Sequence, residues 1–218
     1  MKDYNRAVIV GAPQTFGKGT VQNVVELDNM VRSKLFGDEK LGALKLTIEK
    51  FYRVNGAGNQ LHGVASDVVM PDAVAVLDMG EGTEKYVMDW DSIPSAGYDR
   101  LDNDFTYVIN SSRERVGKSP YFNVVKENIE WLKKRKEIKQ VPLSMEEFRS
   151  DDKKYKQESK KFDQISQYSS PYNYVSPRYE IPMVEKDTVL ASKRKSWHKD
   201  LKKDATLTES IDILSSMK

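Results

Sequence analysis

Cysteine is absent from the 218 residues, and histidine occurs only twice. Without a thiol there is no disulfide, no thiolate metal site and no cysteine nucleophile, and the redox compartment stays open. His62 and His198 lie far apart with no acidic or histidine partner at ligand spacing, so no metal site is expected. Long apolar runs are missing too: nothing approaches the roughly 20 residues of a membrane span. The opening Met1-Lys2-Asp3-Tyr4-Asn5-Arg6 lacks the apolar core of a signal peptide. An excess of either charge is also lacking. With 35 basic and 33 acidic residues the net charge is +2, which gives no case for a nucleic-acid or membrane partner.

What is present divides into unlike parts. The first third is strand-like, because Ala7 to Val10, Thr20 to Leu27 and Leu44 to Val54 are rich in β-branched and aromatic residues and are separated by turns. Leu44, Leu46 and Ile48 alternate with polar residues, which predicts a half-buried strand. Asn55-Gly56-Ala57-Gly58-Asn59 is turn chemistry, and Val64 to Pro71 reads as a returning extended segment. Residues 4–76 are therefore expected to form part of a sheet within a first domain of 1–76, and 77–115 an irregular connection, in which Phe105 to Ile109 is a strand or a first helical turn. Residues 116–218 are expected to be helical. Ser119 followed by Pro120 opens a helix with Phe122, Val125, Ile129 and Leu132 on one face. Ser144 with Glu147 is a capping-box pattern, and Asp151 to Lys161 is too charged to be buried. Tyr168 to Pro182, with four tyrosines and three prolines, reads as an extended ordered segment or a tether on a surface. Leu190 to Lys203 is helix-compatible, and Leu207, Ile211 and Leu214 mark a short terminal helix. The fold class is α/β, a mostly stranded part followed by an α-helical domain.

One lysine is presented unusually. Lys18 sits between Gly17 and Gly19, shortly after the apolar run Ala7 to Val10. Flanking glycines allow positive φ and close approach, at an entropic cost that an ordinary surface loop has no reason to bear. Lysine is a poor base at neutral pH with its usual pKa of about 10.4, and burial can lower that by several units. A desolvated Lys18 could then take a proton from a hydroxyl; the plain alternative is an exposed lysine on a glycine-rich turn. A phosphate-binding loop does not fit. Five residues separate Gly11 from Gly17 where that motif has four, Gly19 replaces the magnesium-holding hydroxyl, and the β-branched run that follows offers no helix N-terminus.

An alternative is a Ser/Lys catalytic arrangement, in which the amine replaces the histidine of a serine triad. If Thr20 to Val25 is extended, Lys18 and Gln22 share a face, and the Gln22 amide oxygen could accept a hydrogen bond from the amine. An outward polar residue on a strand is the competing reading of Gln22.

Several ordered motifs carry a resemblance: Arg6-Ala-Val-Ile-Val-Gly-Ala-Pro, Thr15-Phe-Gly-Lys-Gly-Thr-Val-Gln22, Leu46-Thr-Ile-Glu-Lys-Phe-Tyr-Arg53 with Asn55-Gly56, and Gln60-Leu-His-Gly-Val-Ala-Ser-Asp67 through Met70-Pro71. Together they resemble the carboxy-terminal processing peptidases, nearest to their tail-specific protease branch. Weaker similarity continues through Glu84-Lys85-Tyr86 and Trp90 to Pro94 into the helical tail of that branch. The resemblance implies Lys18 as general base and Gln22 as the glutamine that orients it. It implies a crotonase-like core here represented by its last strands, no metal or cofactor, and unfolded or C-terminally tagged proteins as substrates. It also implies a bacterial envelope or periplasmic location. The nucleophilic serine, the oxyanion-hole amides and a peptide-binding PDZ module are expected upstream. No serine precedes Lys18 in this chain, so the chain is expected to be the C-terminal part of a longer enzyme and inert by itself. The other class of reading is a non-enzymatic scaffold or adaptor-docking module.

The remaining features have plainer explanations. Lys133 to Lys136 and Lys193 to Lys195, with Trp197 and His198, could form basic patches, but Glu127, Glu130, Glu137, Asp200 and Asp204 balance them. A solvated helix face or an adaptor-docking surface is the favoured reading, with no nucleic acid. Asp67 reads as a turn or capping carboxylate.

Overall fold

The computed structural model describes residues 1–30, 40–77 and 79–217. Residues 31–39 and Asp78, inside the stretches 1–76 and 77–115, lie outside the described residues. The described chain is mixed and helix-rich, and its contacts divide it into two interleaved units: 1–7, 13–65 and 78–103 in one, and 8–12, 66–77 and 104–218 in the other.

The first unit is built on an antiparallel pair, β2 (Thr20–Glu26) with β3 (Ala43–Lys50). Its register places Val21 opposite Glu49 and Gln22 opposite Thr47, so Ile48 is an extra residue and the ladder is irregular there. The strand pattern of β3 is as expected, but its burial is not. Leu44, Leu46 and Ile48 are 46%, 43% and 56% exposed, because a two-stranded ribbon has no layer of its own to cover either face. The turn at 53–58 forms as its residues dictate. Gly56 takes φ 85°, its N–H donates to the Arg53 carbonyl at 2.8 Å, and the Asn55 side chain accepts from the Ala57 N–H at 3.0 Å. Asp3 ties the first residues to this turn by accepting from Arg53 Nε at 2.8 Å and from Asn55 at 3.2 Å.

The second unit pairs β1 (Val10–Gly11) in parallel with β4 (Val68–Val69) and adds six helices among the described residues. These are α1 (Thr106–Lys118), α2 (Pro120–Glu137), α3 (Met145–Ser159), α4 (Ile181–Lys186), α5 (Thr188–Leu201) and α6 (Ala205–Ser215). Its core gathers Val68, Met70, Val116, Phe122, Ala205 and Ile213, flanked by Val8, Val10, Ile109, Tyr121 and Tyr168. The helix at Ser119 starts as its sequence signals, with the hydroxyl accepting from the Phe122 N–H at 3.4 Å and Phe122 and Val125 buried. The helix α1 begins inside the stretch read as irregular. Val108, Ser112 and Val116, four residues apart, bury one face and override the strand propensity of Thr106 to Ile109. Ser144 stands at the start of α3, but its hydroxyl makes no capping bond.

α6 is also turned differently from expectation. Ala205, Thr208, Glu209 and Ile213 are its buried face, while Leu214 is 68% exposed. On that face Glu209 Oε1 accepts from Ser112 Oγ at 2.7 Å and from Arg115 Nη2 at 2.6 Å, so the buried carboxylate is paired. The tyrosine-rich stretch is an ordered extended segment. The Ser170 N–H donates to the Lys202 carbonyl at 2.7 Å, and the Tyr172 hydroxyl donates to Asp212. That bond to a carboxylate, with some desolvation, raises the phenol pKa above its ordinary 10.0.

Candidate functional site

The loop carrying Lys18 leads into β2 and is held against residues 60–64 of the same unit. The Gly17 carbonyl accepts from the Leu61 N–H at 2.7 Å, and the Gly19 N–H donates to Gln60 Oε1 at 2.9 Å. Farther back, the Thr15 N–H donates to the Val64 carbonyl at 3.1 Å, and Thr15 Oγ1 accepts from the Val64 N–H at 2.9 Å. Both glycines beside the lysine are required by this packing. Gly17 has φ 88° and a Cβ there would stand 2.7 Å from the Leu61 oxygen, while at Gly19 it would stand 2.4 Å from the Gln60 nitrogen. Leu61 itself takes φ 65°, a left-handed conformation costly for a side chain with a γ-branch. Gly17 and Gly19 are buried, yet Lys18 between them projects outward with its side chain 41% exposed.

Lys18 Nζ lies 3.6 Å from Glu81 Oε1, on the short 3-10 turn Glu81–Thr83, whose side chain is only 9% exposed. That turn is itself fixed to the loop, since the Glu81 N–H donates to the Phe16 carbonyl at 2.9 Å. Gln60, 2% exposed, closes the arrangement by donating from Nε2 to Glu81 Oε1 at 3.0 Å. A single buried amide thus joins the backbone beside Lys18 to the carboxylate facing its amine.

The sequence expectation that Gln22 would receive the lysine is not met in this arrangement. Gln22 Nε2 points to Thr47 Oγ1 at 3.4 Å, and among the described residues no hydrogen bond joins Gln22 to Lys18. The reason is geometric. Lys18 precedes the first residue of β2, and the register shifts between Val21 and Gln22, so the two-residue alternation does not carry from 22 back to 18. Within this chain the Lys18 side chain is 41% exposed.

Glu81 was not among the sequence candidates. Its signal was available in Gly80-Glu81-Gly82, a charged residue between glycines that repeats the pattern of Gly17-Lys18-Gly19.

Other candidates resolve into structural roles. His62 stacks on Trp90 with centroids 5.3 Å apart, and Trp90 Nε1 donates to the Gly58 carbonyl at 2.9 Å. Asp67 Oδ2 accepts from the Ile9 N–H at 2.8 Å, a tie between distant extended segments and not the local turn or cap expected. Among the basic runs, Arg135 lies over the Tyr155 ring at 4.9 Å, Lys136 donates to the Val76 carbonyl at 3.0 Å, and Arg194 chelates Glu180 at 2.8 and 2.7 Å. No group of three or more metal-binding side chains occurs among the described residues.

Comparison with known proteins agrees with the motifs around this loop. Residues 74–218 match the family described as C-terminal domain of tail specific protease, and residues 1–70 match Peptidase family S41. A relative named Tail-specific protease, from Haemophilus influenzae, is 37% identical over 150 residues, which is 66% of this chain and 21% of that protein. The chain thus aligns with about a fifth of the length of that relative. With a peptidase segment over the Lys18 loop and a C-terminal-domain match over most of its length, the chain belongs to the tail-specific protease family.

Proposed function

We propose that this chain is the C-terminal part of a serine endopeptidase that degrades or trims proteins from their C-termini with a Ser/Lys dyad, to which it contributes the base. The observation that carries the reading is the pinned loop, in which two buried glycines and a left-handed Leu61 fix the backbone of an outward lysine within a peptidase-family segment. A region before Met1 supplies the serine, which attacks the scissile carbonyl while Lys18 takes its proton. The same amine then protonates the leaving nitrogen, and a water, deprotonated in turn by Lys18, hydrolyses the acyl-enzyme. Gln22 orients the neutral amine. Its Nε2 is directed to Thr47, and its amide oxygen has no partner among the described residues, so it is available to accept a hydrogen bond once Lys18 swings from Glu81.

In this reading the strands belong to a crotonase-like core, a PDZ module upstream grips unfolded or tagged substrates, and the enzyme works in a bacterial envelope. Upstream chain covers Leu44, Leu46 and Ile48 and dries the lysine. The second reading, an adaptor-docking scaffold, draws on the groove of about 710 Å³ between α2 and α3, lined by Trp131, Arg135, Phe148 and Tyr155. The experiment is to assay the longer polypeptide and this chain side by side on a disordered protein. Cleavage by the former and none by the latter supports the protease, whereas a longer polypeptide with no serine and no turnover leaves the scaffold.

A further inference from the structure

We propose that Gln60 and Glu81 form the positioning pair for Lys18, a role that rests on the general-base reading of that lysine. Gln60 is 2% exposed, and both ends of its amide are used. Oε1 accepts from the Gly19 N–H at 2.9 Å, one residue beyond the lysine, and Nε2 donates to Glu81 Oε1 at 3.0 Å. Beside it, the Leu61 N–H donates to the Gly17 carbonyl at 2.7 Å, one residue before the lysine. The backbone of Lys18 is therefore pinned on both sides by two consecutive residues of another segment. The same amide aims a mostly buried carboxylate that stands 3.6 Å from the amine.

Two features distinguish this from ordinary packing of a polar group. A buried amide could satisfy itself on backbone alone, yet this one links the lysine's backbone to the lysine's charge partner. The segment making the link holds a non-glycine residue at φ 65°, a strain that persists only where the surroundings impose it. Gln60 and Glu81 act through Lys18 and do not touch substrate in this scheme. Glu81, 3.6 Å from the amine, restricts its arc to the side of the loop that meets the upstream serine, and that restriction persists while Gln22 and substrate take over the hydrogen bond.

The test uses the longer polypeptide that carries the serine, with steady-state kinetics on a disordered protein. Gln60→Met, which keeps the volume and removes both hydrogen bonds, is expected to lower kcat about tenfold to a hundredfold, since a small misplacement of a catalytic group costs that much. KM should change by less than about twofold, because the pair does not contact substrate. Glu81→Ala should lower kcat in the same way. Glu81→Gln, whose amide oxygen can accept from both Gln60 and the amine, should recover most of that loss. If Gln60→Met does not fold, the two Glu81 variants decide alone. Wild-type kcat in Glu81→Ala, a loss carried by KM, or no recovery in Glu81→Gln overturns the proposal. Lys18→Ala, assayed beside them, separates the two claims: full turnover in that variant defeats the general-base reading itself, while its loss alongside unchanged Gln60 and Glu81 variants defeats only the positioning pair.

Discussion

The Ser112 hydroxyl donates to Glu209 Oε1 at 2.7 Å, and the two residues are 0% and 6% exposed. This bond, with Arg115 on the same carboxylate, joins α1 to α6 through their buried faces. Glu209→Ala leaves a buried hydroxyl unsatisfied and a half-covered arginine unpaired. It should destabilise the chain by about 2–4 kcal/mol, at the upper end of what losing a buried polar partner costs. Glu209→Gln keeps an acceptor for Ser112 and should cost about half as much. Urea denaturation of the chain measures both, and equal stability of Glu209→Ala and the unaltered chain would contradict a stabilising role for this bond.

Glycine scanning separates the pinned loop from ordinary turns. Gly19→Ala would press a Cβ to 2.4 Å of backbone, and Gly17→Ala combines φ 88° with a 2.7 Å approach. Each should cost about 1–3 kcal/mol. Gly97→Ala meets nothing within 4 Å and lies outside the left-handed region, so it should change stability by no more than about 0.5 kcal/mol. Thermal melts of the three variants give the comparison, and a silent Gly19→Ala would contradict the close approach of residues 59–61.

Legibility in the sequence followed how local the cause was. The start of α2 could be read because Ser119, Pro120 and the Phe122/Val125 spacing act within two turns. At α1 the sequence left Phe105 to Ile109 open between a strand and a first helical turn, and burial of Val108, Ser112 and Val116 against partners distant in sequence decides for the helix. The tight backbone around Lys18 was legible from its glycines. Its observed partner was not, because 63 residues separate Lys18 from Glu81, and only the fold closes that distance. β2 and β3 are legible as strands, whereas of Ala7 to Val10 only Val10 enters a two-residue pairing, and the faces of β3 lack the burial expected because a lone pair of strands has no layer to supply it.

That exposed ribbon predicts association. Val24 is 59% exposed and Ile48 56%, on strands whose outer edges are unpaired among the described residues. Light scattering of the chain should give a mass that rises with concentration, and Ile48→Lys should suppress the rise. A constant monomer mass at high concentration would contradict this.

The tyrosines set an alkaline limit. The hydrogen bond to Asp212 raises the Tyr172 pKa, and burial raises that of Tyr121, both from an ordinary 10.0. A group whose folded pKa is raised contributes stability below its unfolded value and loses it as pH climbs through the folded one. Stability should therefore hold up to about pH 10 and fall above it. Following tyrosinate absorbance, Asp212→Asn should let one tyrosine ionise at lower pH; an unchanged titration would mean that Asp212 does not hold the Tyr172 phenol.

The central claim is that one amine acts as the base, and Lys18→Ala in the longer polypeptide proposed to carry the serine tests it most directly. Turnover of a disordered protein should fall by about 10²–10⁴-fold while the protein keeps its fold. Wild-type turnover in that variant would contradict the assignment of Lys18.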